Sequence, residues 1–272
     1  MPDLSLLLPM VAMLLVIGAF AGVLAGLLGV GGGIILVPAF FYAFSVLGYD
    51  SPQLMQICLA TSLATIIVTS LRSVAAHSGK GAVEWSILKG WGLGIALGAF
   101  AGVAVASALR SEVLQIIFSG LAMLIGLYLA FGKAHWRLGE EMPRGAFRII
   151  GSPLVGFLSV LLGIGGGSFG VPIMTAFGVP IHRAIATAAG FGVLIALPAV
   201  AAFLFSDVAV TPPGTIGAVN LPAFGLVIAM TLLTAPLGAR LAHRTDAKVL
   251  KRVFGGFVIL VALNMLRKVI MG

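Results

Sequence analysis

Long apolar runs separated by short polar breaks make up almost the whole chain. Most runs are close to the length of roughly twenty residues that an α-helix needs to cross the hydrocarbon core of a bilayer. Within a run the apolar residues follow one another continuously, without the alternation that a membrane β-barrel requires. The pattern therefore predicts an all-α integral membrane protein.

We predict ten apolar segments, at residues 4–28, 33–48, 54–76, 86–108, 111–131, 147–163, 168–179, 182–205, 217–240 and 247–270. The first follows an aspartate rather than a basic residue, so we interpret it as a retained span and not as a signal peptide. The second and seventh segments are short, and the seventh cannot span the hydrocarbon at about 1.5 Å per residue. When each short segment is counted with its neighbour, about 8 full spans remain.

Composition supports a membrane protein, since hydrophobic residues make up 60% of the chain and charged residues 9%. Soluble domains usually carry about a quarter charged residues. The net charge of +8 comes from basic residues in short loops, so we expect the lipid bilayer and not nucleic acid as a partner. The single cysteine, Cys58, lies inside an apolar run and cannot form an intrachain disulfide.

The charges in the loops predict an orientation. One set of loops is basic and holds Lys80, Lys133, Arg137, Arg144, Arg183, Arg244 and Lys248. The other set holds Asp3, Asp50, Arg110, Glu112 and Asp207. The positive-inside rule places the basic set in the cytoplasm. We therefore expect a multi-pass protein of the bacterial inner membrane whose two termini face outward.

The chain also matches itself. AGVLAGLLGVGGGIILVP at 21–38 matches VGFLSVLLGIGGGSFGVP at 155–172, ICLATS around Thr61 matches RAIATA around Thr187, and VLQIIFSG from Val113 matches VLKRVFGG from Val249. We predict an N-terminal repeat over 1–131, a cytoplasmic linker over 132–146 and a C-terminal repeat over 147–272. Each repeat holds an odd number of crossings, so the two should have inverted topology. Inverted repeats are typical of secondary transporters.

Glycine clusters at 29–33 and 163–167 interrupt the apolar pattern in both repeats. Consecutive glycines break a helix, and broken backbone inside a membrane is tolerated only where protein buries it or where it lines a cavity. Each cluster precedes a short helix whose N-terminal amides and positive dipole end face the break. Two such ends predict an anion site, although tight turns or packing remain an alternative. The small-residue pairs Gly22/Gly26, Gly98/Gly102 and Gly166/Gly170 favour close helix packing.

The predicted substrate-binding residues surround these breaks and the segments after them. They are Gly31, Gly32, Gly33, Thr61, Ser62, Gly165, Gly166, Gly167, Ser168, Arg183 and Thr187. The alternative for the threonines is a bond to the carbonyl one turn back, and for Arg183 a cytoplasmic anchor. Trp85 and Trp91 are expected at the membrane interface.

All eight carboxylates lie in loops or at span ends, which argues against a cation site and a carboxylate proton relay. If an ion such as a proton is coupled to transport, it should travel on the substrate or on His77 or His182. The four histidines have no metal-ligand spacing, and no Walker motif is present. We therefore predict no enzyme activity, no metal site and no cofactor; no oligomeric state follows from the pattern.

LLGVGGGIILVP, LLGIGGGSFGVP, HRAIATA and GAVNLPAF at 217–224 together resemble the TauE/SafE family of membrane transporters. The resemblance covers nearly the whole chain. It implies export of sulfite or an organosulfonate, or movement of a carboxylate or another sulfur-containing anion. We expect alternating access, with one half rocking against the other around a site between the breaks. An anion channel and, less favoured, a membrane-embedded enzyme are the alternatives.

The orientation gives a first testable prediction. Reporter fusions at Gly139 and Gly272 should place the linker in the cytoplasm and the C-terminus outside, because the basic loops fall on one side. A cytoplasmic C-terminus would contradict both the orientation and the inverted topology.

Overall fold

The computed structural model describes residues 4–28, 32–132, 137–242 and 247–271. Within these ranges the chain forms ten helices and one short β-hairpin. The helices are α1 (Leu4–Leu28), α2 (Gly33–Val46), α3 (Leu54–Ser78), α4 (Trp85–Ala108), α5 (Ser111–Phe131), α6 (Ala146–Leu161), α7 (Gly167–Ala176), α8 (Ile181–Phe203), α9 (Leu221–Ala242) and α10 (Ala247–Met271). Strands β1 (Thr215–Ile216) and β2 (Val219–Asn220) pair antiparallel. The predicted all-α fold is confirmed.

Six helices in the described ranges, namely α3, α4, α5, α8, α9 and α10, are long and apolar enough to cross a membrane. Helices α2, α6 and α7 are shorter, with 14, 16 and 10 residues. A glycine cluster precedes α2 and another separates α6 from α7, as the sequence predicts. The architecture is that of a multi-span integral membrane protein, while the count of about 8 full spans stays a prediction.

Helices from the two parts of the chain pack against each other in pairs. Helix α1 lies along α9, α6 along α4, and α5 along α10, while α3 and α8 pack together. In the first pair Gly18 faces Val227, and Gly22 faces Thr231, so α1 and α9 run in the same direction. The Thr234 hydroxyl also donates to the Ala19 carbonyl at 3.0 Å.

Glycines allow the backbones of α4 and α6 to touch. A β-carbon added to Gly98 would overlap the Pro153 carbonyl, and one added to Gly102 would lie 3.0 Å from the Phe157 carbonyl oxygen. The order of these contacts along both helices shows that α4 and α6 also run in the same direction. Close packing, which the small-residue spacing predicts, is confirmed at these two glycines and at Gly22.

Polar contacts tie the loops together at one end of the bundle, here called the first end, which comprises residues 47–53, 109–110 and 204–214. The Gln53 side chain donates to the Asp207 carbonyl at 3.1 Å and accepts from the Ala209 amide at 3.0 Å. Near the end of α10, the ammonium of Lys268 donates to the Ser45 hydroxyl at 2.6 Å. The chain's last helix therefore ends beside the loop after α2.

The second end comprises loops 79–84, 137–145 and 177–180. The Leu138 amide donates to the Ala176 carbonyl at 2.7 Å, which ties the linker to the end of α7. Arg183 forms an ion pair with Glu84, with 2.8 Å between Nη1 and Oε1. These loops belong to the basic set defined in the sequence analysis. The cytoplasmic position of this end stays a prediction.

The packing of α4 on α6 gives the second prediction. Gly98→Val should destabilise the protein by about 1–3 kcal/mol or more, because the side chain would have to enter the backbone of α6. Gly120→Val is the matched control, since a β-carbon on Gly120 would meet no atom within 4 Å apart from its chain neighbours and its own helix backbone. Thermal unfolding of both purified variants measures the difference. Equal melting temperatures would show that α4 and α6 can move apart without a loss of stability.

Candidate functional site

The first helix break lies immediately before α2. Gly32 caps this helix with φ of 68°, a left-handed conformation in which a side chain would be strained. Its carbonyl accepts the amides of Ile35 and Leu36 at 3.0 and 3.2 Å, which begins the helix. Gly31 lies outside the described residues. A glycine is therefore required at position 32 by conformation.

The second break follows α6, which ends just before a glycine in the left-handed conformation. Gly163 has φ of 59°, its amide donates to the Val160 carbonyl at 2.9 Å, and the Ile164 amide donates to the Ser159 carbonyl at 2.9 Å. This pair of bonds is a Schellman motif, which satisfies the carbonyls of the last turn. The chain then passes through the glycine triplet and begins α7 at Gly167.

The two breaks meet inside the bundle. A β-carbon added to Gly33 would lie 2.6 Å from the Gly163 carbonyl oxygen and 3.0 Å from the Ile164 Cα. Ile66, halfway along α3, would lie 3.1 Å from a β-carbon on Gly33 and also 3.1 Å from one on Gly165. The start of α2 and the end of α6 are thus in direct contact at the middle of α3.

Ser62 satisfies a buried backbone carbonyl of the second break. Its hydroxyl, fully buried, donates to the Gly163 carbonyl at 2.7 Å. One turn earlier on α6, the Ser159 hydroxyl is also fully buried but has no hydrogen-bond partner within the described part of the chain. Unpartnered buried hydroxyls are costly, so Ser159 is the kind of group that a polar ligand or water would satisfy.

The triplet Gly165–Gly167 lies against α8. A β-carbon on Gly166 would lie 2.5 Å from the Ala188 carbonyl oxygen and 3.0 Å from the Gly192 nitrogen. Close packing is therefore one reason for the triplet, alongside the break that it makes between α6 and α7. Ser168 is half-buried in the first turn of α7, where helix amides have no partners within the helix.

Thr61 and Thr187 make equivalent hydrogen bonds in the two halves of the chain, residues 1–131 and 147–272. Both are fully buried. The Thr61 hydroxyl accepts the Asn220 amide at 3.0 Å, and the Thr187 hydroxyl accepts the Glu84 amide at 2.9 Å. Each threonine thus joins one half to the residue that precedes a helix of the other half.

The alternative interpretation, a hydroxyl bonded to a carbonyl of its own helix, applies to other threonines. Thr65, Thr69 and Thr175 donate to carbonyls three or four residues earlier. Bonding across the halves uses the oxygen of Thr61 and of Thr187 as an acceptor and leaves each O–H as a donor.

The partners of the two threonines form a sequence repeat that the patterns above do not include. GAVE at 81–84 and GAVN at 217–220 precede α4 and α9. Gly81 and Gly217 have similar left-handed conformations, with φ of 64° and 58°. Self-comparison of the sequence could have found this fourth matching pair, but its role depends on contacts 103 and 159 residues apart along the chain.

The last residues of these tetrapeptides differ in chemistry. The side-chain oxygen Oδ1 of Asn220 accepts the Ala223 amide at 2.9 Å and caps α9. The Glu84 carboxylate instead pairs with Arg183, one turn before Thr187 on α8. Glu84 therefore holds α8 by its backbone and by its charge, whereas Asn220 holds α3 by its backbone alone.

A cleft of about 340 Å³ opens at the second end beside Glu84. Its lining includes the linker, the start of α4 and the end of α7, with Trp91, Glu140, Glu141, Arg144 and Arg148 among the residues. Trp85 is 51% exposed, which agrees with an interfacial position, but Trp91 is buried and stacks on Phe191 at 6.5 Å. The predicted interfacial role of Trp91 is wrong, because α4 turns this face toward α8.

These features define a polytopic membrane protein whose broken helices and cross-half bonds surround its interior, the class to which membrane transporters belong. The family model of the sulfite exporter TauE/SafE matches residues 14–265. The chain belongs to this TauE/SafE family of membrane transporters.

Several relatives carry transporter names. A probable membrane transporter protein of Haemophilus influenzae is 32% identical over 256 residues, which cover 93% of this chain and 97% of the relative. One from Methanocaldococcus jannaschii is 25% identical, with 97% of both chains covered. The probable membrane transporter protein YunE of Bacillus subtilis is 31% identical over 64% of this chain and 71% of its own. No solved structure matches the chain significantly.

The bond between Ser62 and the second break gives the third prediction. Ser62→Ala should cost about 1–3 kcal/mol of stability, because it leaves the buried Gly163 carbonyl without this donor. Ser107→Ala is the control, since Ser107 is exposed and its contact with Ser206 is long, at 3.4 Å. Thermal unfolding of both variants gives the comparison; an unchanged Ser62→Ala variant would mean that water replaces the hydroxyl.

Proposed function

We propose that the protein transports a small anion, such as sulfite or an organosulfonate, across the inner membrane. The observation that carries this proposal is the meeting of the two breaks at Gly33 and Gly163, in a chain that belongs to a family named for sulfite export. Broken backbone at membrane depth is characteristic of transporter sites.

The proposed arrangement is a pair of inverted repeats. Helix α1 runs parallel to α9, which starts from the first end, and α6 runs parallel to α4, which starts from the second end. Equivalent helices would then enter the membrane from opposite sides. The exchanged pairs α1/α9 and α6/α4, and the exchanged bonds of Thr61 and Thr187, support this arrangement.

The proposed anion site lies between the N-terminal ends of α2 and α7. First-turn amides lack partners within their own helix, and the helix dipole favours negative charge there. The O–H donors of Thr61 and Thr187 lie on α3 and α8, which pack beside the breaks, and the unpartnered hydroxyl of Ser159 lies on α6 just before the second break. Amides and hydroxyls of this kind bind sulfite or sulfonate oxygens without requiring a buried cation.

The charge distribution favours an anion over a cation. In the described ranges the acidic residues lie in loops or at the first turn of a helix, at Asp50, Glu84, Glu112, Glu140, Glu141 and Asp207. No carboxylate in these ranges lies within a span, where a transported cation would need one. Any coupled proton would then move with the substrate or on a histidine at a helix end.

Alternating access and outward export complete the proposal. The cleft at the second end, which the positive-inside rule places in the cytoplasm, would load the anion, and the first end would release it. An anion channel would use the same helix ends but keep a continuous pore. The buried contact between Gly33 and Gly163 favours a closed centre and therefore a carrier.

Counterflow separates a carrier from a channel. Proteoliposomes loaded with unlabelled sulfite should accumulate labelled sulfite transiently, with a rate that saturates as the external concentration rises. A channel gives no counterflow, so its absence alongside rapid sulfite leakage would replace the carrier with a channel. Taurine, sulfate and a simple carboxylate, tested as competitors, then order the substrates.

The paired threonines supply the fourth prediction. Thr61→Val and Thr187→Val each keep the shape of the side chain and remove one hydroxyl, which should weaken sulfite affinity by about 1–3 kcal/mol. Thr69→Val is the control, because the Thr69 hydroxyl bonds within its own helix, to the Thr65 carbonyl at 3.1 Å. Binding is measured by calorimetry on protein that passes a folding check. Wild-type affinity in both paired variants would remove the threonines from the site.

A further inference from the structure

The ion pair between Glu84 and Arg183 occurs at one end of the molecule only. In the repeat alignment Thr61 matches Thr187, so Arg183 corresponds to Ile57, which is fully buried. Glu84 corresponds to Asn220, whose side chain caps α9 and carries no charge. The cross-half hydrogen bond is thus present twice, whereas the charged pair accompanies it at the second end alone.

The geometry of this pair resembles an occupied anion site. Arg183 Nη1 lies 2.8 Å from Glu84 Oε1, the distance of a charge-assisted hydrogen bond. The Arg183 side chain is 48% exposed and that of Glu84 is 26% exposed, so both can be reached from water. Glu84 also lines the cleft of about 340 Å³. Arg183 does not line the cleft itself but binds Glu84, which does, so an anion in the cleft would reach the guanidinium by replacing the carboxylate.

We propose that Arg183 is the first protein ligand of the transported anion at the second end, and that the Glu84 carboxylate occupies this ligand until the anion displaces it. Glu84 is then an internal competitor, which keeps the guanidinium neutralised and α8 bound to the start of α4. Displacement frees α8 from one of its two bonds to Glu84. This inference rests on the proposed function.

Other charges surround the pair and have to be separated from it. The linker contributes Glu140, Glu141 and Arg144 to the cleft, and α6 contributes Arg148. His182 precedes Arg183 in the sequence, and His77, Lys80 and Lys89 lie within a few residues of Glu84 along the chain. Glu141 and Arg144 form their own pair at 3.7 Å, and both are more than 80% exposed. Glu141 is therefore a carboxylate of the same cleft that belongs to a different ion pair.

Glu84→Gln is the decisive variant, because it removes the competing charge but keeps the backbone amide that bonds Thr187. Calorimetry with sulfite should show binding roughly two- to fivefold tighter than wild type, the range that a partly exposed ion pair accounts for. Arg183→Gln should bind sulfite more weakly. The double variant should bind like Arg183→Gln alone, since the gain requires the freed guanidinium.

Two controls test whether the effect belongs to the pair. Glu141→Gln removes one negative charge from the same cleft and should change sulfite affinity much less than Glu84→Gln. Glu112→Gln breaks the pair of Arg110 and Glu112 at the first end, 3.3 Å apart, and should leave sulfite affinity unchanged. If Glu84→Gln fails a folding check, Glu84→Asp retracts the carboxylate by one methylene and should shift affinity in the same direction.

The outcomes distinguish this inference from the function on which it rests. Unchanged or weaker binding in Glu84→Gln overturns the competitor role, as does a gain that persists without Arg183 or that Glu141→Gln reproduces. Wild-type protein that binds neither sulfite nor a sulfonate overturns the proposed function, and this inference with it. Tighter binding in Glu84→Gln alone, dependent on Arg183, supports both.

Discussion

A broken helix inside a membrane has backbone groups that lipid cannot satisfy, and the rest of this structure depends on how they are accommodated. The protein places its two breaks against each other, so that Gly33 lies on the Gly163 carbonyl. A Schellman motif and the Ser62 hydroxyl satisfy much of the second break. Helix α3 contacts both breaks through Ile66, and α8 contacts the second break through Ala188 and Gly192, so the two central helices cover the broken backbone.

The same need accounts for the bonds between the halves. The amides at the start of a helix have no partners within the helix. Glu84 and Asn220, which directly precede α4 and α9, are in this position. A buried threonine on a helix of the other half accepts the amide of Glu84 or Asn220. One short motif, GAVE or GAVN, therefore provides a glycine turn, a buried apolar contact and a donor that faces the opposite half.

Much of the fold was predictable, because apolar run length and glycine clusters report local physical requirements. The ten segments agree with the ten described helices to within a few residues, and the predicted breaks occur where the glycines are. The partners of Thr61 and Thr187 were not predictable, since they depend on which helices become neighbours. Trp91 shows the same limit: an aromatic residue near a span end fits the interface, but its helix directs it onto Phe191. The site residues themselves remain predictions.

Helix α1 packs closely on α9, and α6 on α4, through glycines that bring the backbones together. In each pair one helix belongs to residues 1–131 and the other to residues 147–272. Separating residues 1–131 from 147–272 as two rigid bodies would break both helix contacts and expose the glycine backbone that forms them. A motion that preserves these glycine contacts has to move α1 together with α9, and α6 together with α4. If these contacts stay closed during transport, the moving units combine helices from both halves, and one half does not rock as a body against the other.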